Sequence, residues 1–190
     1  MTKSDIEMMA YGDGQILPGN LESIIKCQED TSLRSPGIPA HYYRFFFRLF
    51  SVLRPNLVVE LGTSYGHSSA CMADGNPDGR IITVNNRTEL REECRRDNVT
   101  YLTQDSLEPV DLSGKMIDVL FIDTDHDGIR CEKEFEIYKD SVVSGGLIFF
   151  DDITLFDCMK AFWEKFNPEG FLKFEIPAHG SAGFGCLIKR

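Results

Sequence analysis

The sequence predicts an α/β protein, a doubly wound and mostly parallel seven-stranded sheet with a C-terminal antiparallel strand. Three observations predict it. Short apolar runs alternate with helical patterns from residue 57 to residue 190. The middle runs are continuously apolar, which suits strands covered on both faces. The last two runs are separated only by PAHGSA (177–182). A parallel crossover needs roughly a dozen residues, so this pair is expected to be antiparallel.

The elements follow in order. Residues 1–39 are polar and irregular, and Pro36, Gly37 and Pro39 punctuate their end. They read as an extension or lid ahead of a domain spanning 40–190, with Tyr11, Tyr42 and Tyr43 as aromatic lid residues. AHYYRFFFRLFSVLR (40–54) reads as a helix that buries most of its surface as core, stopped by Pro55. LVVEL (57–61) is a strand, and GHSSACMAD (66–74) is a helix after a glycine-rich turn. GRIITV (79–84) is a strand, RTELREECRRD (87–97) a charged amphipathic helix, and VTYLT (99–103) a strand. MIDVLFID (116–123) is a strand and IRCEKEFEIYKDSV (129–142) a helix. GGLIFF (145–150), FLKFEI (171–176) and GFGCLIKR (183–190) complete the sheet, with the helix LFDCMKAFWEKF at 155–166.

Bulk properties narrow the function. The 190 residues favour one domain, and 42% hydrophobic with 26% charged residues argues against disorder. A net charge of −10 disfavours a nucleic-acid or anionic-membrane surface, which needs a basic footprint. Six widely spaced cysteines without a C-x-x-C pair suggest reduced thiols in the cytoplasm rather than a zinc site or disulfide framework. MTKSDIEMMAYGDG has no apolar stretch of a signal peptide, and no run nears the roughly 18 apolar residues of a membrane span.

In open α/β sheets, ligands bind beyond the carboxyl ends of the strands. Polar residues gather there: Glu60 and Gly62, then Asn85 and Asn86, then Asp105, then Asp123, Asp125 and His126, then Asp151 and Asp152. The first turn, ELGTSYGHSS (60–69), joins strand to helix. Its glycines permit close backbone approach, and the helix N-terminus offers free N–H groups. It is neither G-x-G-x-x-G nor a P-loop. Glu60 would repel a pyrophosphate but suit the cationic end of a ligand.

This turn resembles motif I of class I S-adenosylmethionine-dependent methyltransferases. The likeness runs from about Val58 through Asp152 and is closest to small metal-dependent O-methyltransferases, of the catechol type and of bacterial sugar-modifying enzymes. It implies a Rossmann-like methyltransferase fold. It also implies that Glu60, Gly62, Thr63, Ser64 and Gly66 cradle the methionine part of S-adenosylmethionine, that Asp105 and Ser106 lie beside the adenine, and that Asp123 stands where cofactor and cation meet. Asp105 could accept a hydrogen bond from the adenine amino group or instead cap the next helix. The family carries a ribose-gripping acid at the end of the second strand. Here Asn85, or less favourably Asn86, takes its place, and a neutral amide makes weaker hydrogen bonds than a carboxylate.

LFIDTDHD (120–127) ends an apolar run in three acids and a histidine, and FFDDI (149–153) ends another in two. Neighbouring strands lie about 4.8 Å apart, so Asp123, Asp151 and Asp152 can converge on one cation. Oxygen donors suit Mg²⁺, Mn²⁺ or Ca²⁺, and the resemblance places its metal on these residues. A bound cation acidifies a hydroxyl. Asp125 or His126 would then take the proton; the catechol enzymes carry lysine at the latter position, while the sugar enzymes read D-x-D-H as here. Asp127 suits a helix cap. His41 and His67 lack such acidic company, and His179 reads as a solvated loop residue rather than as lining the acceptor pocket.

The expected function is transfer of a methyl group to a hydroxyl of a small molecule: a sugar, a catechol or a natural product. The alternative is a non-catalytic nucleoside-binding or interaction module on a degenerate methyltransferase fold, with Asn85 as its support. The aromatic helix at 40–54 offers a face for a homodimer partner.

Overall fold

The computed structural model describes residues 2–10, 41–87, 89–176 and 182–190. Of the expected extension or lid at 1–39, residues 1 and 11–39, with Tyr11, lie outside the described residues, as does the loop residue His179. Helix α1 (Lys3–Ala10) precedes α2 (His41–Leu53). Then come β1 (Leu57–Leu61), α3 (His67–Gly75), β2 (Arg80–Asn85), β3 (Val99–Thr103), β4 (Ile117–Ile122), α4 (Gly128–Tyr138), β5 (Val142–Phe150), α5 (Asp157–Lys165), β6 (Phe171–Ile176) and β7 (Phe184–Lys189).

The strands form one sheet in the order β3-β2-β1-β4-β5-β7-β6. The first five are parallel, and β7 runs antiparallel to both β5 and β6. The expected sheet and its antiparallel ending are therefore present. The chain order reverses between β1 and β4, which makes that crevice the natural ligand site.

Why the central strands are apolar throughout is visible in the core. Along β4 and β5, Val119, Phe121, Leu147 and Phe149 join one cluster with α2, while Leu120, Ile122, Ile148 and Phe150 join another with α4 and α5. Alternate side chains face opposite sides of a strand, and here both sides are covered. On the α2 side, Phe46 meets Phe121 edge-on at 4.8 Å and Tyr42 stacks on Phe184 at 5.5 Å. Tyr42 and Tyr43 are thus core residues rather than lid residues. Helix α1 packs on α2 and β6 through the buried Ile6.

Two expectations are corrected. Residues 87–97 do not form a helix; among the described residues only a 3₁₀ turn at Glu92–Cys94 appears. The segment offers just Leu90 and Cys94 to the core, and a short isolated helix is marginal without a buried face. Its arginines are used elsewhere: Arg96 clasps Asp74 at 2.6 and 2.8 Å, and Arg91 covers Tyr65. The helix at 129–142 ends at Tyr138; a 3₁₀ turn at Lys139–Ser141 follows, and Val142 already belongs to β5. Val142 pairs with Ile117, which draws it into the sheet. Among the described residues, no helix is long and apolar enough to cross a membrane.

Candidate active site

Register sets the site. Leu61 pairs with Ile122, and Ile122 pairs with Phe150. The next residues along the chain, Gly62, Asp123 and Asp151, therefore emerge side by side. Backbone bonds extend the sheet one step further: Asp123 N donates to Leu61 O at 2.8 Å, and Asp151 N to Ile122 O at 3.1 Å.

Gly62 has φ 107°, and a Cβ there would fall 1.7 Å from the Asp123 carbonyl oxygen. The glycine is needed by the protein itself, because the turn leans on the loop that carries Asp123. The N–H groups of Gly62 and Thr63 both donate to Val84 O. Gly66, at φ 88°, starts α3, and Ser64 holds a left-handed backbone at φ 45°.

Glu60 lies fully buried beneath this turn. Thr83 Oγ1 donates to its carboxylate at 2.5 Å, Ser68 donates to the other oxygen, and Thr63 Oγ1 meets Thr83 Oγ1 at 2.6 Å. Burial raises the Glu60 pKa to about 7, opposed by these hydroxyls and reinforced by Asp123. Glu60 thus organises the turn from below. His67, buried in the first turn of α3 near the rings of Tyr43 and Tyr65, is driven down to about pKa 4 by burial and by Arg91. It is a neutral structural imidazole.

Beyond β4 and β5, Asp123, His126 and Asp151 each offer a ligand atom, all within 4.8 Å of one another. His126 Nε2 is 3.3 Å from Asp123 Oδ1 and 3.1 Å from Asp152 Oδ2. Asp152 is buried and faces the histidine. Burial, then Asp123 and Asp152, push the Asp151 carboxyl well above the usual range. His126 and Asp152 both have left-handed backbones, φ 52° and 53°. Such conformations persist where surrounding structure holds them and gather at functional sites. Phe156 stacks on the His126 ring at 5.4 Å. Asp125 points elsewhere: its carboxylate is largely exposed and lies 3.5 Å from Arg130 Nε.

The outer rim comes from β2 and β3. Asn85 is half-buried at the end of β2, and its Nδ2 donates to Arg87 O at 2.8 Å. Asn86 is exposed. Asp105 Oδ1 accepts from Leu107 N, closing a local turn, and also from Arg130. Ser106 is buried, with its hydroxyl on Glu134 at 2.5 Å.

Sequence reasoning missed Glu134 and Arg130. Glu134 is fully buried and accepts from Ser106, Thr124 and Arg130. Its only signal was an i,i+4 Arg/Glu pair on α4, which reads as an ordinary exposed pair.

A profile of a family described as a methyltransferase domain matches residues 59–153, half of the chain. The chain belongs to this methyltransferase-domain family. The matched stretch holds the β1 turn, the rim residues and both acid-bearing strand ends. No curated protein matches the sequence. Solved structures share the fold of this methyltransferase domain. An O-methyltransferase from Streptomyces achromogenes, involved in tomaymycin synthesis and in complex with SAM, is 17% identical with a TM-score of 0.72, covering 100% of this chain and 99% of its own. An SAH-bound methyltransferase from Podospora anserina is 13% identical with a TM-score of 0.74, covering 98% and 94%. An O-methyltransferase from Bacillus cereus in complex with SAH is 17% identical with a TM-score of 0.66, covering 98% and 97%.

Proposed function

We propose that this methyltransferase domain transfers the methyl group of S-adenosylmethionine to a hydroxyl of a small molecule with the help of a divalent cation. The observation that carries the reading is the convergence of Asp123, His126 and Asp151 at the switch point of the sheet, beside the turn built over Glu60. The O-methyltransferase relatives in complex with SAM or SAH support it.

The donor set fits a cation. Two carboxylates and an imidazole crowd one spot, and the repulsion that raises Asp151 is what a positive ion would relieve. Asp123 and Asp151 offer the carboxylate oxygens that suit Mg²⁺ or Mn²⁺, and His126 stands beside them as the base rather than as a ligand. When bound, the cation supplies Lewis acidity that makes the acceptor hydroxyl easier to deprotonate.

The chain's own residues do the rest. Gly62, Thr63, Ser64 and Gly66 form the cradle for the methionine part over Glu60, which holds them from below, and the Asn85 oxygen accepts one ribose hydroxyl. Asp105 and Ser106 flank the adenine through the loop they stiffen. His126 Nε2 takes the hydroxyl proton, and Asp152 Oδ2 stabilises the resulting imidazolium. Asp125, engaged with Arg130, is the weaker base. The acceptor oxygen forms the new bond to the methyl carbon as the sulfur–methyl bond breaks, leaving a neutral thioether. Holding oxygen, carbon and sulfur in line provides much of the acceleration. Asn85 favours a second reading, a nucleoside-binding module without turnover.

Calorimetric titration with S-adenosylmethionine and S-adenosylhomocysteine, in Mn²⁺ and then in EDTA, tests the proposal. Micromolar binding of both, with Mn²⁺ binding lost in Asp123→Asn, is the expected result. Absence of binding at millimolar ligand overturns it. Binding without methyl transfer to any hydroxylated acceptor in a screen moves the assignment to the second reading.

A further inference from the structure

The two loops that would hold cofactor and cation are tied together by a single buried carboxylate. Glu134 sits on the second turn of α4 with no exposed surface. One oxygen accepts from Ser106 Oγ at 2.5 Å and from Arg130 Nε at 3.1 Å; the other accepts from Thr124 Oγ1 at 2.9 Å. Arg130 extends the link: its Nη2 donates to Ser106 Oγ at 2.7 Å and to Asp105, while its Nε is 3.5 Å from Asp125. Asp105 and Ser106 belong to the loop after β3. Thr124 and Asp125 belong to the loop after β4, between Asp123 and His126 of the acid cluster.

We propose that Glu134 and Arg130 are positioning residues that couple occupancy of the cofactor rim to occupancy of the Asp123–His126–Asp151 cluster. The inference rests on the function proposed above. Its physical basis is that a buried, charge-assisted network has few alternative arrangements. A ligand that fixes the 105–106 loop fixes Glu134, and Glu134 fixes Thr124. That removes freedom from the backbone on either side, where Asp123 and the left-handed His126 must align. Coupling of this kind is reciprocal: each ligand tightens the other by the same factor.

The test measures Mn²⁺ affinity with and without saturating S-adenosylhomocysteine, by paramagnetic resonance of the free ion, with melting temperatures alongside. In the native chain S-adenosylhomocysteine should tighten Mn²⁺ binding roughly fivefold or more. Thr124→Val keeps side-chain shape but removes the hydroxyl donor, and it should bring the factor to about one. Thr124→Ser should restore it. Glu134→Gln and Arg130→Gln should behave like Thr124→Val; if either fails to fold, the Thr124 pair decides. A purely structural role would lower the melting temperature and leave the factor unchanged. A native chain that binds neither ligand overturns the proposed function and this inference with it. A native chain that binds both without coupling, an unchanged factor in Thr124→Val, or Thr124→Ser behaving like valine overturns this inference alone.

Discussion

Glu60 shows how one residue can be central to a site without facing it. Its carboxylate is used up on Ser68 and Thr83, so the turn above is held by hydroxyls rather than by a ligand. That arrangement has a pH signature. A carboxyl whose folded pKa is raised holds its proton after the unfolded chain has released it. Stability therefore falls as pH rises from the ordinary 4.5 to about 7, and is level beyond. The change is on the order of 3 kcal/mol for a buried group of this shift. Glu60→Gln keeps the shape and does not titrate; its oxygen accepts from one hydroxyl and its NH2 donates to the other. In EDTA, its melting temperature relative to the native chain should climb between pH 5 and 7 and then stay constant. A parallel pair of curves would show that Glu60 is not held near-neutral.

At the scale of elements, the loop from β4 into α4 repays the closest look. Asp127 caps α4, its carboxylate accepting from Ile129 N at 3.0 Å. This role was legible in the sequence because a cap is a local matter of one side chain and a nearby N–H. Asp127→Ala should destabilise the chain by about 1 kcal/mol, lowering the melting temperature by roughly 2–4 °C, with Mn²⁺ affinity nearly unchanged because the Asp127 carboxylate is engaged with Ile129 N. A larger fall, or a large loss of Mn²⁺ affinity, would mean that the cap sets the geometry of His126. The strands were equally legible: LVVEL, VTYLT and FLKFEI are strands from first residue to last, the first buried along its whole length, the other two lying at the edges of the sheet and marked by β-branched and aromatic residues. Residues 87–97 were not, because charge periodicity says nothing about whether a face has anything to pack on. The convergence of two strand ends was legible from their acids. That His126 Nε2 reaches into the cluster, and that Asp152 turns to meet it, depended on left-handed backbone conformations no pattern announces. Glu134 was hidden for a related reason: a buried partner looks like a surface acid until the loops around it are placed.

For the whole molecule the question is which of its charges matter. The net charge is −10, yet exposed charges are screened beyond about 10 Å at 0.1 M salt, so the excess acid contributes mainly to solubility. The acids at the strand ends are different. Asp151 is buried and Asp123 partly so, and salt screens them poorly. Their repulsion is an internal strain that a proton, a bound cation or a substitution relieves. Asp151→Asn should therefore raise the melting temperature in EDTA at pH 8. Mn²⁺ at a hundredfold excess over its Kd should stabilise the native chain by about 2.7 kcal/mol and the variant hardly at all. Raising NaCl should not reproduce the effect of Mn²⁺ in either. A variant that melts below the native chain in EDTA, or that gains as much from Mn²⁺, would mean that Asp151 is a structural acid and that the cluster is not a cation site. The opposite pattern would show stability given up at one spot for the binding of an ion, the trade expected where a fold keeps repulsive neighbours at the centre of its ligand crevice.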